Sequence, residues 1–432
     1  MNKNFANFDY LLFIAVVALS FIGVLFIYSS GVNSDGILTS REYTRQIVWA
    51  CTGLVLLLGV AFYDYNKLKE YSIFIYGTGI LLLVYTLFFG RVVNASKSWI
   101  GFGNLGIQPS EFMKVAYIVF LAFYLERSQK ELELRRFIRA SLITAIPMLL
   151  ILLQPDLGTA SVYIPIFFIM SFVAGIKLQY LAFVFFVLIF GLLALLFPIW
   201  EFYVVKEVSA ISRVLTSTKY SLSLFAIFFV VSLMFTLGYF LFRKKYYYWL
   251  SFIFFIFSGA VIICAAGLKV LKPYQMMRLI VFLDPNIDAL NSGWHINQSM
   301  IAIGAGGLRG TGFLQGTQSH YKFLPEQSTD FIFSILSEEW GFIGGLLVFS
   351  LYALIFYRIR NTALRCADFF GKLVCMGILS IFVYHFFINI GMAMGIMPVM
   401  GIPLLFLSYG GSSIWAAMLA IGIVVGINLR QL

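Results

Sequence analysis

The chain has 432 residues, 61% hydrophobic, 18% aromatic and only 11% charged, with 30 Lys and Arg against 19 Asp and Glu and a formal charge of +11. A soluble domain carries about one quarter charged residues, so this composition excludes a water-soluble globular protein and points to an all-α, polytopic membrane protein. The positive excess suits anionic lipid head groups or a phosphorylated substrate rather than a nucleic acid, and no organic-cofactor fingerprint is evident.

Taken in chain order, the polar N-terminus MNKNFANFDY leads into an apolar run, Leu11–Tyr28, without a small-residue cleavage site. It reads as a retained first helix, not a cleaved signal peptide. Apolar runs long enough to span a bilayer then recur at about 11–28, 46–63, 71–89, 109–125, 138–153, 157–175, 179–199, 220–242, 247–268, 331–357, 373–394 and 407–428. The expectation is therefore about twelve transmembrane helices in a single membrane domain, 1–432, with a long loop at 269–330. With both termini in the cytoplasm, the clusters Lys67/Lys69, Arg127 to Arg139, Arg243-Lys244-Lys245 and Arg358 to Lys372 all fall inside. Cys51, Cys264, Cys366 and Cys375 lie in or beside apolar runs without metal-like spacing and read as buried free thiols. Three scattered histidines argue against a zinc site.

In that orientation the polar residues closest to apolar runs gather at the outer helix ends. In IQPSEFMK, Pro109 suits a first helical turn, and Glu111 and Lys114 stand three apart, able to pair. Ionisable groups in a span are costly unless paired or wetted, so the pair is either a cavity lining or a structural ion pair. In QPDLGT, Pro155 and Gly158 break the apolar run and Asp156 sits in the break, as a functional acid or as a helix cap. The glycine-rich IAIGAGGLRGTGFLQGTQ offers an anion-binding nest with Arg309, or glycines for close backbone packing. In LPEQSTDFIFSILSEEWG, a helix starting near Thr329 puts Asp330, Ser334, Ser337 and Glu338 on one polar stripe. A partly desolvated carboxylate at a helix mouth can take a proton from a substrate hydroxyl.

These segments, with GIPLLFLSYGGSS, resemble the SEDS family of bacterial cell-wall glycan polymerases, and the Gly316-Thr317-Gln318 triplet resembles its elongation branch. The resemblance implies a lipid II-dependent peptidoglycan glycosyltransferase working on the outer face of the cytoplasmic membrane, with a class B penicillin-binding protein as partner. By it Asp330 matches the essential carboxylate of TDFIF, Glu111 and Lys114 match the pair of QPSExxK, Asp156 matches the acid of QPDLGT, and Arg45 in TRQIVW matches a basic residue outside the second span. Asp330 is then a general base or a ligand of a divalent cation, Mg or Mn. Three positions depart from the family pattern: Ser328 for a common His, Lys97-Ser98 before Trp99, and Leu405 for a common Pro. The family has ten spans in most members, so 220–268 reads as an inserted helix pair. A lipid II flippase is the alternative, and a non-catalytic scaffold for the transpeptidase is a third reading. A flippase predicts ionisable groups along the whole route through the bilayer, whereas here they stop at the outer helix ends.

Overall fold

The computed structural model describes residues 8–93, 96–102, 105–288, 292–321, 323 and 326–430. Ala95 of the stretch before Trp99, and Leu324 and Pro325 of the LPE segment, lie outside the described residues. The helices that matter below are α1 Tyr10–Ser30, α2 Glu42–Phe62, α3 Ser72–Phe89, α4 Pro109–Arg127, α5 Glu133–Leu153, α6 Leu157–Ser161, α7 Tyr163–Val173, α8 Leu178–Trp200, α9 Thr218–Phe242, α10 Lys245–Val270, α11 Pro273–Leu283, α12 Ser292–Gly306, α13 Ile332–Arg365, α14 Phe369–Ala393 and α15 Gly411–Leu429. Among the described residues, ten helices are long and apolar enough to cross a membrane. The other two expected spans are helical but fall short of that measure: α4 carries Glu111, Lys114 and Arg127, and 157–173 is split between α6 and α7. None of the four cysteines forms a disulfide, and of the buried thiols expected only Cys264 and Cys375 are buried; Cys51 is exposed and Cys366 half-buried.

The chain forms two compact units, one of residues 1–175 with 294–432 and one of 176–293. The second contains α8 to α11, with α10 packed on both α8 and α9. Ser232 and Ser251 bind across the α9–α10 seam at 3.2 Å, polar glue between otherwise apolar helices. The expected loop at 269–330 is in fact partly helical, holding α11, α12 and a turn at Thr317–His320.

In the first unit, α2 packs on α15, α1 on α13, and α14 on α13, α4 and α7. Arg358 near the end of α13 grips Asp9 at the start of α1 at 2.8 Å, and Lys69 binds Glu126 at the end of α4 at 2.7 Å. These contacts define a basic end. The starts of α2, α4, α6 and α15 and the ends of α1, α3, α5 and α14 form the opposite end. There a three-stranded antiparallel sheet, β1 Arg91–Val93, β2 Ser96–Phe102 and β3 Leu105–Ile107, links α3 to α4.

The span expected at 331–357 is not one helix. Gly341 breaks α13 with φ 63° and ψ −159°. Phe333 stacks on Phe349 with ring centroids 5.7 Å apart, whereas an unbroken helix would hold them about 24 Å apart at 1.5 Å per residue. The arm 332–340 therefore doubles back along the arm 342–365 as a re-entrant hairpin. Backbone groups orphaned at the break need partners in a low-dielectric setting. The glycine-rich loop supplies them: Phe342 N–H donates to Gly307 O at 2.9 Å, Thr311 N–H to Glu338 O at 2.9 Å and Gly312 N–H to Glu339 O at 3.0 Å. Gly306 and Gly310 thus serve close backbone approach, since a Cβ on either would run into the backbone of Ser337 or Glu339. A Cβ at Gly341 would run into Gly310 N and sit 2.8 Å from Arg309 N, in a conformation that costs a non-glycine residue about 1–3 kcal/mol before any clash. Gly341→Ala is expected to lower the melting temperature of the detergent-purified protein by several degrees, read by intrinsic fluorescence; an unchanged melting curve would show that the hairpin tip is not a constraint.

Candidate active site

Four of the elements singled out in the sequence meet at the segment 400–412, irregular as far as Gly410 and entering α15 at Gly411, at the end of the first unit opposite the basic end. Glu111 and Lys114 are 4% and 2% exposed. The Lys114 ammonium donates to both Glu111 carboxylate oxygens, at 2.8 and 2.9 Å, and stands 3.2 Å from His385 Nε2. His385 Nδ1 lies 2.8 Å from Pro403 O, which can only accept. The proton therefore sits on Nδ1, and Nε2 offers Lys114 a lone pair. All three ammonium donors are taken, so Lys114 is a closed ion pair and not an open cation.

One turn along α14, Asn389 is fully buried. Its amide donates to Asp330 O at 3.0 Å and to Ile402 O at 2.9 Å. Asp330 itself is half-buried, in the turn that precedes the re-entrant arm. That turn is fastened a second time by Tyr409 N–H, which donates to Ser328 O at 2.8 Å. Tyr409 packs tilted against Trp49 of α2 with ring centroids 5.1 Å apart; burial pushes its phenol up, and hydrogen bonding with Arg45 pulls it partly back. Arg45 is exposed. Its neighbour Gln46 clamps the same segment, donating to Ser408 O at 3.1 Å and accepting from Gly410 N–H at 3.2 Å.

Asp156 caps α6, accepting from Thr159 N–H at 3.0 Å and Thr159 Oγ1 at 2.8 Å, and takes a third bond from Gln108 Nε2 at 3.1 Å. Gln108 N–H in turn donates to Ser412 Oγ at 2.9 Å. Burial pushes the Asp156 carboxyl up, with Glu111 adding to it and the two Thr159 bonds opposing. Gly158 packs so closely on Met400 O that any side chain would displace the segment. Asp156 is thus both a cap and a tie to the common hub.

Two sequence expectations are redrawn. Arg309 is exposed on the loop at the hairpin tip, about 14 Å of helical rise from Asp330 along the arm 332–340; the structure does not bring it to the hub. The polar stripe below Asp330 does not face an open groove: Ser334 bonds Ser299 at 2.6 Å, and Glu338 accepts from Gln318 N–H at 2.7 Å and Ser319 N–H at 3.2 Å. It serves the packing of α12 and the following loop, because a re-entrant arm is enclosed by protein on every side. Lys97 likewise donates to Phe88 O at the end of α3, at 2.7 Å. His385, Asn389, Gln46, Tyr409 and Gln108 were not reached from the sequence. The only available signal was polar residues at a spacing of four, His385 and Asn389, inside an otherwise apolar run.

Among the described residues no three of His, Cys, Asp and Glu converge as a metal cage. The arrangement offers one half-buried carboxylate on a doubly fastened turn, one exposed guanidinium fixed to the same hub, and a neutralised ion pair beneath. This defines a polytopic membrane protein whose buried polar side chains gather around one irregular segment.

The sequence profile of the FtsW/RodA/SpoVE cell cycle proteins matches residues 9–223 and 227–431, and the chain belongs to that family. The match runs through nearly all of the segment that the motifs left unaligned. The chain is 53% identical to the peptidoglycan glycosyltransferase RodA of Treponema pallidum, over 100% of this chain and 99% of that protein. It is 34% identical to the stage V sporulation protein E of Bacillus subtilis, over 97% and 96%. A solved chain from a peptidoglycan synthase complex described as coordinating polymerization and crosslinking superposes with a TM-score of 0.67 at 25% identity, covering 98% of this chain and 97% of its own.

Removing one partner of a buried ion pair leaves an uncompensated charge and costs about 3–5 kcal/mol, whereas removing both is far milder. Lys114→Met is therefore expected to lose most of its folded yield, and Glu111→Gln with Lys114→Met to regain much of it, judged by size-exclusion monodispersity and melting temperature. Equal losses in the single and double variants would contradict a closed pair.

Proposed function

We propose that the chain polymerises glycan strands from lipid II, as a peptidoglycan glycosyltransferase of the elongation type in a bacterial inner membrane. The observation that carries this reading is the convergence of the Asp330 turn, the Glu111–Lys114 pair, Asp156 and Arg45 on the single segment 400–412, in a chain so similar over its whole length to a RodA glycosyltransferase.

In the proposed reaction the 4-hydroxyl of an incoming lipid II sugar attacks the anomeric carbon of the strand's terminal sugar. The new C–O bond forms as the bond from that carbon to the pyrophosphate oxygen breaks, and the electron pair leaves with the pyrophosphate. Asp330 accepts the hydroxyl proton, which makes the acceptor oxygen nucleophilic at the moment of attack. Negative charge grows on the leaving group and requires a fixed counter-charge. Lys114 has no donor left to give, so this role falls to Arg45, exposed and held beside the Asp330 turn through Tyr409. Arg309 is left without a part in the chemical step. The alternative role for Asp330 is to hold a magnesium or manganese ion, which would offset charge developing on the pyrophosphate.

The basic end lies in the cytoplasm in this reading, because Arg and Lys cluster there, and the hub faces outward. The substrate's polyprenyl tail then remains in the bilayer beside the helices while the sugars react at their outer ends. A class B penicillin-binding protein is the proposed partner, cross-linking the strands as they emerge.

Asp330→Asn is expected to cut lipid II polymerisation in detergent by about 10²–10⁴-fold with an unchanged elution profile. Substantial glycan from that variant would remove Asp330 from the chemistry. Because a detergent assay has no sealed compartment, glycan made by the wild-type protein also separates polymerase from flippase. Addition of a chelator to the same assay tests the metal: activity that persists without divalent ions excludes Asp330 as an obligatory ligand.

A further inference from the structure

We infer that Asn389 is a positioning residue for Asp330, setting where its carboxylate stands relative to the segment 400–412. This rests on the reading of Asp330 as the proton acceptor. Asp330 lies just ahead of the re-entrant arm, whose cap is Phe331, and a chain entering a helix from a turn is free to pivot unless its own carbonyls are held. Asp330 O finds its partner across the unit, in the Asn389 amide. The same nitrogen binds Ile402 O, so one planar group sets the spacing between the catalytic turn and the hub. Both contacts are to carbonyl oxygens, which can only accept, so the amide orientation follows from chemistry. Asn389 is completely buried, and its Oδ1 has no hydrogen-bond partner. A residue kept for packing would not leave a buried polar atom unsatisfied in an apolar helix, since that costs free energy. A leucine there would avoid the penalty.

The helix carrying Asn389 is itself fixed at that level. One turn away His385 spans from Lys114 to Pro403 O, next to Ile402. The amide therefore acts from a rigid support, and a displacement of a reacting group by about 1 Å can cost on the order of 100-fold in rate. Losing the bond frees the Asp330 turn without touching substrate, so turnover should suffer and substrate affinity should not.

The test uses Asn389→Leu, similar in size with no donor, and Asn389→Ser, a smaller residue with one short donor. Both are purified in detergent beside wild type and Asp330→Asn and assayed with lipid II for kcat and KM separately, with melting temperature recorded. The expected result is a fall in kcat of about 10–100-fold in the leucine variant, a smaller fall in the serine variant, and KM within about twofold of wild type. Should the leucine variant not fold, the serine variant decides alone. An unchanged kcat in folded protein, or a rise in KM that accounts for the whole loss, overturns the inference. If Asp330→Asn itself polymerises normally, it is the catalytic reading that fails; an inactive Asp330→Asn beside fully active Asn389 variants refutes only the positioning role.

Discussion

The chain from Met400 to Gly410 is irregular backbone at the ends of membrane helices, and its polar groups must be satisfied where water is scarce. They are satisfied by side chains from separate helices: His385 and Asn389 from α14 and Gln46 from α2. Ser412, just beyond its end, receives the Gln108 N–H ahead of α4. Several of those side chains also hold a second element: His385 stands against Lys114, and Asn389 binds Asp330 O. Satisfying one strand of backbone thus assembles the Asp330 turn, the ion pair, Asp156 and Arg45 in one place. In hydrocarbon surroundings an unmade bond of this kind costs several kcal/mol, which makes the hub hard to distort piecemeal.

The same requirement explains the second irregular feature. Gly341 reverses α13 and leaves donors on one arm and acceptors on the other, and the glycine loop at 306–312 answers both. Glycine is needed there because the two backbones approach within a side chain's reach. The pair Glu338 and Glu339 then ties the following loop to the tip: Glu339 accepts from Ser29 Oγ at the end of α1 and, at 3.2 Å, from Leu314 N–H. Asp330, Glu338 and Glu339 of LPEQSTDFIFSILSEEWG accordingly differ in their surroundings. The two glutamates serve the scaffold, and Asp330, half-buried in the turn ahead of the arm, is the carboxylate to which the proposed reaction assigns the proton.

A consequence for mechanism concerns the division of positive charge. The Lys114 ammonium is enclosed by Glu111 and His385. Its contribution is to hold α4 and α14 at a set distance, with Glu111 compensating its charge. Arg45 keeps an exposed guanidinium on the same hub, where planar, bidentate recognition of phosphate oxygens is available. In the proposed reaction the leaving pyrophosphate draws its electrostatic support from Arg45 at the rim, while the buried pair supplies rigidity.

The membrane class, the helical segments, the pairing of Glu111 with Lys114 and the break at Asp156 follow from the sequence by itself, because they depend on hydropathy and on residues three or four apart in one helix. The family motifs went further and marked Asp330 and Arg45. Only the tertiary structure decided that 332–365 folds back on itself, that Arg309 belongs to the hairpin tip, and that His385 and Asn389 reach the hub. Those outcomes depend on contacts between residues far apart in the chain, such as Asn389 with Asp330 and Gln46 with Ser408, and on one glycine backbone conformation at Gly341. Local periodicity carries no information about such contacts, since an asparagine in an apolar run looks the same whether it faces a lipid, a water or the backbone of a catalytic turn.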